Sequence, residues 1–94
     1  MEAANSIALE QEKIGKAIIQ LLSNCKKDSQ SRKNENYFTA KLETLEDYWY
    51  AARKNHDKMI ALDQTEHSYV VSKFFDQLGE KYQEAKKYLS KGHY

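Results

Sequence analysis

The stretch LETLEDYWYAARKNHDKM, residues 42–59, decides the fold of this chain. When the stretch is extended back to residue 38, a repeat with alternating intervals of four and three residues appears at Phe38, Leu42, Leu45, Trp49, Ala52, His56 and Met59. A repeat of this kind predicts a long α-helix that packs against a partner along its whole length. Glu43 and Asp47, like Lys54 and Lys58, are like-charged pairs at helical spacing. Tertiary packing, rather than local ion pairing, must therefore hold this helix.

A second repeat follows at Val71, Phe75, Leu78, Tyr82, Ala85 and Leu89. The short polar segment Asp63–His67 separates the two repeats, which predicts an antiparallel hairpin of two long amphipathic helices. The first part of the chain carries matching apolar positions at Ile7, Ile14, Ile18, Leu21 and Cys25, with Gln11 at the remaining one. Leu9, Ile19 and Leu22 widen this apolar face, as is typical of a helix lying across two others.

The three segments predict a single all-α domain over residues 1–94, an antiparallel three-helix bundle built on a long helical hairpin. We expect the helices at about 5–25, 32–62 and 66–91. The repeats also predict which side chains meet in the interior of the bundle. The predicted core consists of Leu42, Leu45, Trp49, Ala52, Phe75, Leu78 and Tyr82.

The segment Lys26–Asn36 is polar throughout and is predicted to be a loop. Helices commonly begin at a serine, threonine, aspartate or asparagine whose side chain accepts from a backbone N–H of the first turn. Ser29 or Ser31 is therefore the expected cap of the second helix, and Asp63 or Thr65 that of the third.

Composition restricts the class of partner. The formal net charge is +1, and the only arginines are Arg32 and Arg53, so no strong positive field favours nucleic acid or an anionic membrane. No apolar run approaches the roughly 20 residues that span a bilayer. Met1–Leu9 lacks the features of a secretory signal, and the single Cys25 cannot form an internal disulfide. We therefore expect an intracellular protein, in either cytoplasm or nucleus.

No sequence pattern indicates a catalytic, cofactor or metal site. His56 lies on an apolar repeat, where we expect a core or hairpin-edge histidine with local partners. His67 has Asp63 four residues before it, but two ligands are too few for a zinc site. The glycines, at positions 15, 79 and 92, are isolated and build no phosphate-binding loop. The sequence therefore predicts a protein that is not an enzyme.

The seven tyrosines favour a protein-binding role, because rings with one apolar and one polar end suit interfaces. Tyr48 and Tyr50 project about 200° apart around their helix, so the first helix cannot cover both. We expect Tyr48 or Tyr50, with Lys41, Thr44 and Arg53, to line a contact with a protein partner. A second copy of the chain in a twofold homodimer is one such partner. The alternative is that these rings only cover the edge of the core.

Four segments carry a resemblance to a known family: SIALEQEKIGKAIIQLL, then KLETLEDYW followed by KNHDKM, then ALDQTEHSYV, and FFDQLGEKYQEAKKYL. Over about residues 6–89 the chain resembles the N-terminal helical region of Gag-like polyproteins from arthropod LTR retrotransposons of the Pao/BEL and gypsy-like kind. The resemblance implies a non-enzymatic module for assembly or partner binding, in a Gag or in a host protein derived from one. Two alternatives are an unrelated helical adaptor for a partner protein and a small RNA-binding helical domain.

Overall fold

The computed structural model describes residues 2–28, 33–62 and 67–91, and all the regular structure within them is helical. The helices are α1 Glu2–Lys27, α2 Glu35–Ala61, α3 Ser68–Val71 and α4 Phe74–Lys91. The three long helices pack pairwise against one another into a rod with extents of 48 × 17 × 17 Å. The prediction of an all-α helical bundle is thereby confirmed.

Hydrogen bonds between α1 and α2 show that these helices run antiparallel. Gln11, in the first half of α1, donates to the carbonyl oxygen of Ala52, in the second half of α2. At the opposite end of the rod, Tyr37 in the first turn of α2 donates to Asp28, just beyond α1. α2 therefore runs back along α1, as in a helical hairpin.

The core lies between the three long helices and follows the predicted repeats. In α2 the buried positions recur every seven residues, at Phe38, Leu45, Ala52 and Met59. Of the predicted core residues, Leu45, Ala52, Leu78 and Tyr82 are buried. Leu42, Trp49 and Phe75 are half-buried and pack against that core. A smaller cluster of Ala4, Met59 and Tyr69 closes the end of the bundle at α3.

The start of α2 differs from the prediction by three residues. The helix begins at Glu35 rather than near 32, and its cap is Asn34, whose Oδ1 accepts from the backbone N–H of Tyr37 at 2.9 Å. Asparagine is among the strongest N-cap residues, so the polar run had a suitable cap closer to the helix than was predicted. The predicted caps lie outside the described residues, namely Ser29, Ser31, Asp63 and Thr65.

The last helix is interrupted, whereas the sequence predicted one continuous helix over about 66–91. α3 ends at Val71, and Lys73 takes up the left-handed conformation with φ of 55° before α4 begins. Gln77 stabilises the turn, because its Nε2 donates to the carbonyl oxygen of Ser72 at 2.9 Å. The interruption turns Val71, predicted as the first residue of the second apolar repeat, outward to 66% exposure.

Replacing Lys73 with glycine should raise the free energy of unfolding by about 0.5–1 kcal/mol, because glycine has no Cβ to oppose a positive φ. The midpoint of a urea titration followed by circular dichroism measures the change. Lys87→Gly is the matched control, because Lys87 is exposed on α4, where glycine should cost about 1 kcal/mol. Equal losses of stability in the two variants would contradict the left-handed turn at Lys73.

Candidate functional site

A buried polar cluster crosses the bundle in the first half of α1. Gln11 is completely buried, and its Nε2 donates to the Ala52 carbonyl oxygen at 2.8 Å and to the Tyr69 hydroxyl at 3.1 Å. Asn55 Nδ2 donates to Gln11 Oε1 at 3.3 Å, and the Tyr69 hydroxyl lies 2.9 Å from His56 Nδ1. The cluster fixes the register of α1, α2 and α3, because a shift of any one would leave buried polar groups without partners.

The cluster also assigns the hydrogen-bonding roles of His56. The Tyr69 hydroxyl oxygen accepts from Gln11, so its own hydrogen is free to point at His56 Nδ1. In a neutral imidazole, Nδ1 is then the acceptor and Nε2 carries the hydrogen. The imidazole also stacks on Phe75, with ring centroids 3.9 Å apart. His56 is therefore a hairpin-edge histidine whose ring and Nδ1 are held by neighbours on α3 and α4.

Trp49 lies at the edge of the contact between α2 and α4, not in the interior where the sequence placed it. Its ring stacks on Tyr82 and Phe75, with centroids 4.5 and 5.1 Å away. The ring lies against Gly79, where an added Cβ would meet Trp49 Cη2 at an ordinary contact distance of 3.5 Å. The interior position belongs to Leu45, and Trp49 is turned about 40° from it around the helix axis, toward α4.

Tyrosine hydroxyl groups form hydrogen bonds between segments at the opposite end of the bundle. The Tyr37 hydroxyl donates to Asp28 Oδ2 at 2.5 Å, joining α2 to the end of α1. Lys33 Nζ donates to the Tyr88 hydroxyl at 3.1 Å. Lys26 and Lys33 also place their ammonium groups 5.8 and 5.6 Å from the centroid of the Tyr88 ring. Attraction between a cation and an aromatic face adds to this connection between α1, α4 and the start of α2.

Burial raises the pKa of three tyrosines, namely Tyr37, Tyr69 and Tyr82, and hydrogen bonds to carboxylates raise those of Tyr37 and Tyr82 further. A group whose pKa is higher in the folded chain stabilises the fold below its unfolded value, about 10 for tyrosine, and loses that contribution above it.

The urea midpoint should therefore fall as the pH rises from about 9 to 11. Tyr82→Phe, which cannot ionise, should show a shallower fall, and an equally steep one would contradict this assignment.

The described residues hold no group of three or more histidine, cysteine, aspartate or glutamate side chains suited to a metal ion. His67 Nδ1 accepts from the backbone N–H of Tyr69 at 3.1 Å and caps α3, while its Nε2 lies 2.8 Å from Asn5 Oδ1. Asp63, considered with His67 as a ligand, lies outside the described residues. Cys25 is fully buried in the apolar core.

The residues of the predicted contact, Tyr48 or Tyr50 with Lys41, Thr44 and Arg53, lie on two sides of α2. Lys41, Thr44 and Tyr48 are half-buried along the side that faces α1, at intervals of three and four residues. Tyr50 and Arg53 are exposed elsewhere on the helix, and Tyr50 is 61% accessible. Because Tyr48 and Tyr50 point about 200° apart, a contact at either one of the two tyrosines stays a prediction.

A groove between α1 and α4 runs along one side of the rod. Two depressions of about 400 and 220 Å³ share Ile19 and Lys81, which makes the groove continuous. Ile18, Leu22 and Leu78 contribute to its apolar floor, and Ile19 is 50% exposed within it. The charged residues that line it are Lys16, Lys26, Lys27 and Lys81, with Glu12 and Glu84. We call this surface the basic groove.

A second open surface lies between α2 and α4, on the other side of α4. Trp49, Phe75 and Gly79 line it, and Ile60, which is 55% exposed, extends it toward α3. Its carboxylates are Asp76 and Glu80, with Glu46 at its edge, and the lysines beside them are Lys73 and Lys86. Tyr82 donates to the Glu46 carboxylate and accepts from Lys86 Nζ at 3.2 Å. We call this surface the acidic cleft.

Among the described residues, no helix has both the length and the apolar character needed to cross a membrane. Comparison of the sequence with protein-family models, with curated proteins and with solved structures gives no match. The basis for a functional proposal is therefore the chemistry of the bundle itself, above all its two open surfaces.

Proposed function

We propose that this chain is a non-enzymatic module for protein association, and that it associates chiefly with further copies of itself. The observation that carries the proposal is the pair of open surfaces that flank α4. Each combines an exposed aliphatic side chain, Ile19 or Ile60, with charges predominantly of one sign. Apolar side chains bordered by polar ones are characteristic of surfaces that bind other proteins.

The hydrogen bonds of the interior polar groups support a non-catalytic role. Enzyme sites bring polar groups together around a space that a substrate can enter. Here Gln11, Tyr69 and His56 bond to one another across the bundle. Within the described residues, every buried side-chain nitrogen and oxygen atom has a hydrogen-bond partner. These groups therefore act in holding the helices together.

The charge distribution supports association between copies. A net charge of +1 gives little long-range repulsion between two identical chains. The basic groove and the acidic cleft offer opposite local fields, which favour encounter and orientation of two molecules. A partner protein with an acidic helix is the second class of ligand that the basic groove suits.

We also propose the setting in which the module works, an intracellular Gag-like or Gag-derived protein. Support comes from the resemblance carried by KLETLEDYW in α2 and FFDQLGEKYQEAKKYL in α4. In such a protein, association of these domains would contribute to assembly. In a host protein derived from a Gag, the same surfaces would hold a complex together.

Light scattering on the purified chain across a concentration series tests the proposed function. The mean mass should rise above the 11.0 kDa of one chain between about 10 μM and 1 mM, the range in which weak protein contacts form. Added salt should reduce the mass, because exposed charges are screened over about 10 Å at 0.1 M ionic strength. A constant mass of one chain at every concentration would show that self-association is wrong.

A further inference from the structure

The geometry points to a head-to-tail contact in which the acidic cleft of one copy docks along the basic groove of the next. This inference rests on the proposed self-association and specifies the surfaces that carry it. The partner is a second copy of this chain, because one chain presents both halves of a complementary pair.

Charge complementarity is the first support for this contact. Lysines outnumber glutamates four to two in the basic groove, whereas the charged residues that line the cleft beside Trp49 are Asp76 and Glu80. Adjacent residues of α4 show the division: Glu80 lies in the acidic cleft, and Lys81 lies in the basic groove. Two copies of one surface would bring like charges together, whereas cleft against groove pairs opposite charges.

Apolar complementarity is the second support. The groove presents Ile19, half exposed above an apolar floor, and the cleft presents Ile60 with the edges of Trp49 and Phe75. A specific contact buries about 600 Å² on each partner, roughly a tenth of the surface of a small protein. The accessible surface here is 6447 Å², so each chain has area for both contacts.

The use of two different surfaces determines the kind of assembly. A contact between unlike surfaces leaves a free groove at one end of a pair and a free cleft at the other. Further copies can then add at both ends, which yields chains unless the rotation between neighbours closes a ring. The twofold dimer expected from the tyrosines would instead stop at two copies.

The test uses two double charge reversals of exposed side chains. The groove variant is Lys16→Glu with Lys81→Glu, and the cleft variant is Asp76→Lys with Glu80→Lys. Each should weaken association at least about tenfold, because attraction between the rims becomes repulsion.

Two single variants serve as controls and should associate like the wild type. Lys87→Glu changes an exposed charge on α4 outside both surfaces, and Tyr50→Glu removes the exposed tyrosine of α2. Circular dichroism melting checks that all four variants fold.

Mixing provides the sharper readout. An equimolar mixture of the two double variants should recover association near the wild-type concentration range. The groove variant keeps an intact cleft, which can dock on the intact groove of the cleft variant. The wild-type mass should also grow past twice the mass of one chain as concentration rises.

Several results would overturn the inference while leaving the proposed function standing. One is a wild-type mass that levels off at two chains, and another is loss of association in Tyr50→Glu alone. A third is association of the wild type that neither double variant weakens, or that mixing does not restore. If the wild type stays a single chain, the proposed function itself fails. Binding of an acidic helical peptide to that single chain would then assign the groove to a different protein.

Discussion

Replacing Gln11 with glutamate should lower the free energy of unfolding by about 3 kcal/mol or more at neutral pH, because a buried charge without a partner typically costs at least that much stability. Gln11 has no exposed surface, and its Nε2 supplies hydrogen bonds to the Ala52 carbonyl and the Tyr69 hydroxyl. A carboxylate supplies neither bond and places negative charge against the carbonyl oxygen. Asn55 already donates to the Gln11 side chain, and the Tyr69 hydroxyl could donate to the carboxylate only by turning its hydrogen away from His56.

The loss in Gln11→Glu should depend on pH in a defined direction. Burial favours the uncharged carboxylic acid and raises the pKa of the new glutamate in the folded chain above its unfolded value. The variant is then most stable below the unfolded value and loses stability as the pH rises through the folded one. Urea titrations at about pH 4 and 8 measure the difference, since glutamate in unfolded chains titrates near 4.3.

The matched control for Gln11→Glu is Gln20→Glu. Gln20 is exposed on the same helix, and its Nε2 donates to Asn24, an exposed neighbour. The control adds the same charge, yet it should change stability by no more than about 0.5 kcal/mol. Equal effects of the two substitutions would show that the polar cluster does not hold the helices in register.

Replacing Leu45 with alanine should lower the free energy of unfolding by about 2–5 kcal/mol, the usual loss for a large aliphatic side chain in a closed core. Leu45 has no exposed surface and lies in the core that α1, α2 and α4 share. That loss is a large part of the roughly 5–15 kcal/mol that stabilise a small domain. A urea titration followed by circular dichroism measures it.

Tyr50→Ala is the control for the core substitution. Tyr50 lies five residues along the same helix, but its side chain is 61% exposed, with Lys54 Nζ 4.9 Å from the ring centroid. Its removal should cost less than about 1 kcal/mol, since a single exposed contact between a cation and a ring contributes about that much. A larger loss at Tyr50 than at Leu45 would mean that α2 turns a different side toward the core.

The helices could be predicted from the sequence because their cause is local periodicity. Apolar residues recur every seven positions in α2, at Phe38, Leu45, Ala52 and Met59. This spacing makes one side of the helix apolar before any partner helix is known. The break after α3 was not predictable in this way. It depends on the left-handed Lys73, which the local sequence does not require, and on tertiary bonds that draw Tyr69 into the bundle.

The candidate surfaces were harder to predict than the core. Each of them combines side chains from two helices, so its charge emerges only once the helices are rotated and paired. The five interface residues were all taken from α2, yet the basic groove uses α1 and α4. Gln11 did carry a usable signal, because a glutamine within an apolar repeat needs hydrogen-bond partners when it is buried. Its partner Tyr69 comes from a distant segment that periodicity does not pair with it.

The central claim is that copies of the chain associate through the acidic cleft and the basic groove. A dilution series of amide spectra by nuclear magnetic resonance tests it most directly, because the chemical shift of each backbone N–H changes when a neighbouring copy leaves its surface. The account predicts concentration-dependent shifts in two regions together, Glu12–Lys27 on α1 and the α4 segment 75–83, with the Trp49 indole N–H among them. Glu46 of α2, which accepts from Tyr82 at the edge of the cleft, should follow. Spectra that do not change with concentration would contradict association. Shifts confined to one of the two surfaces would contradict the pairing of acidic cleft with basic groove.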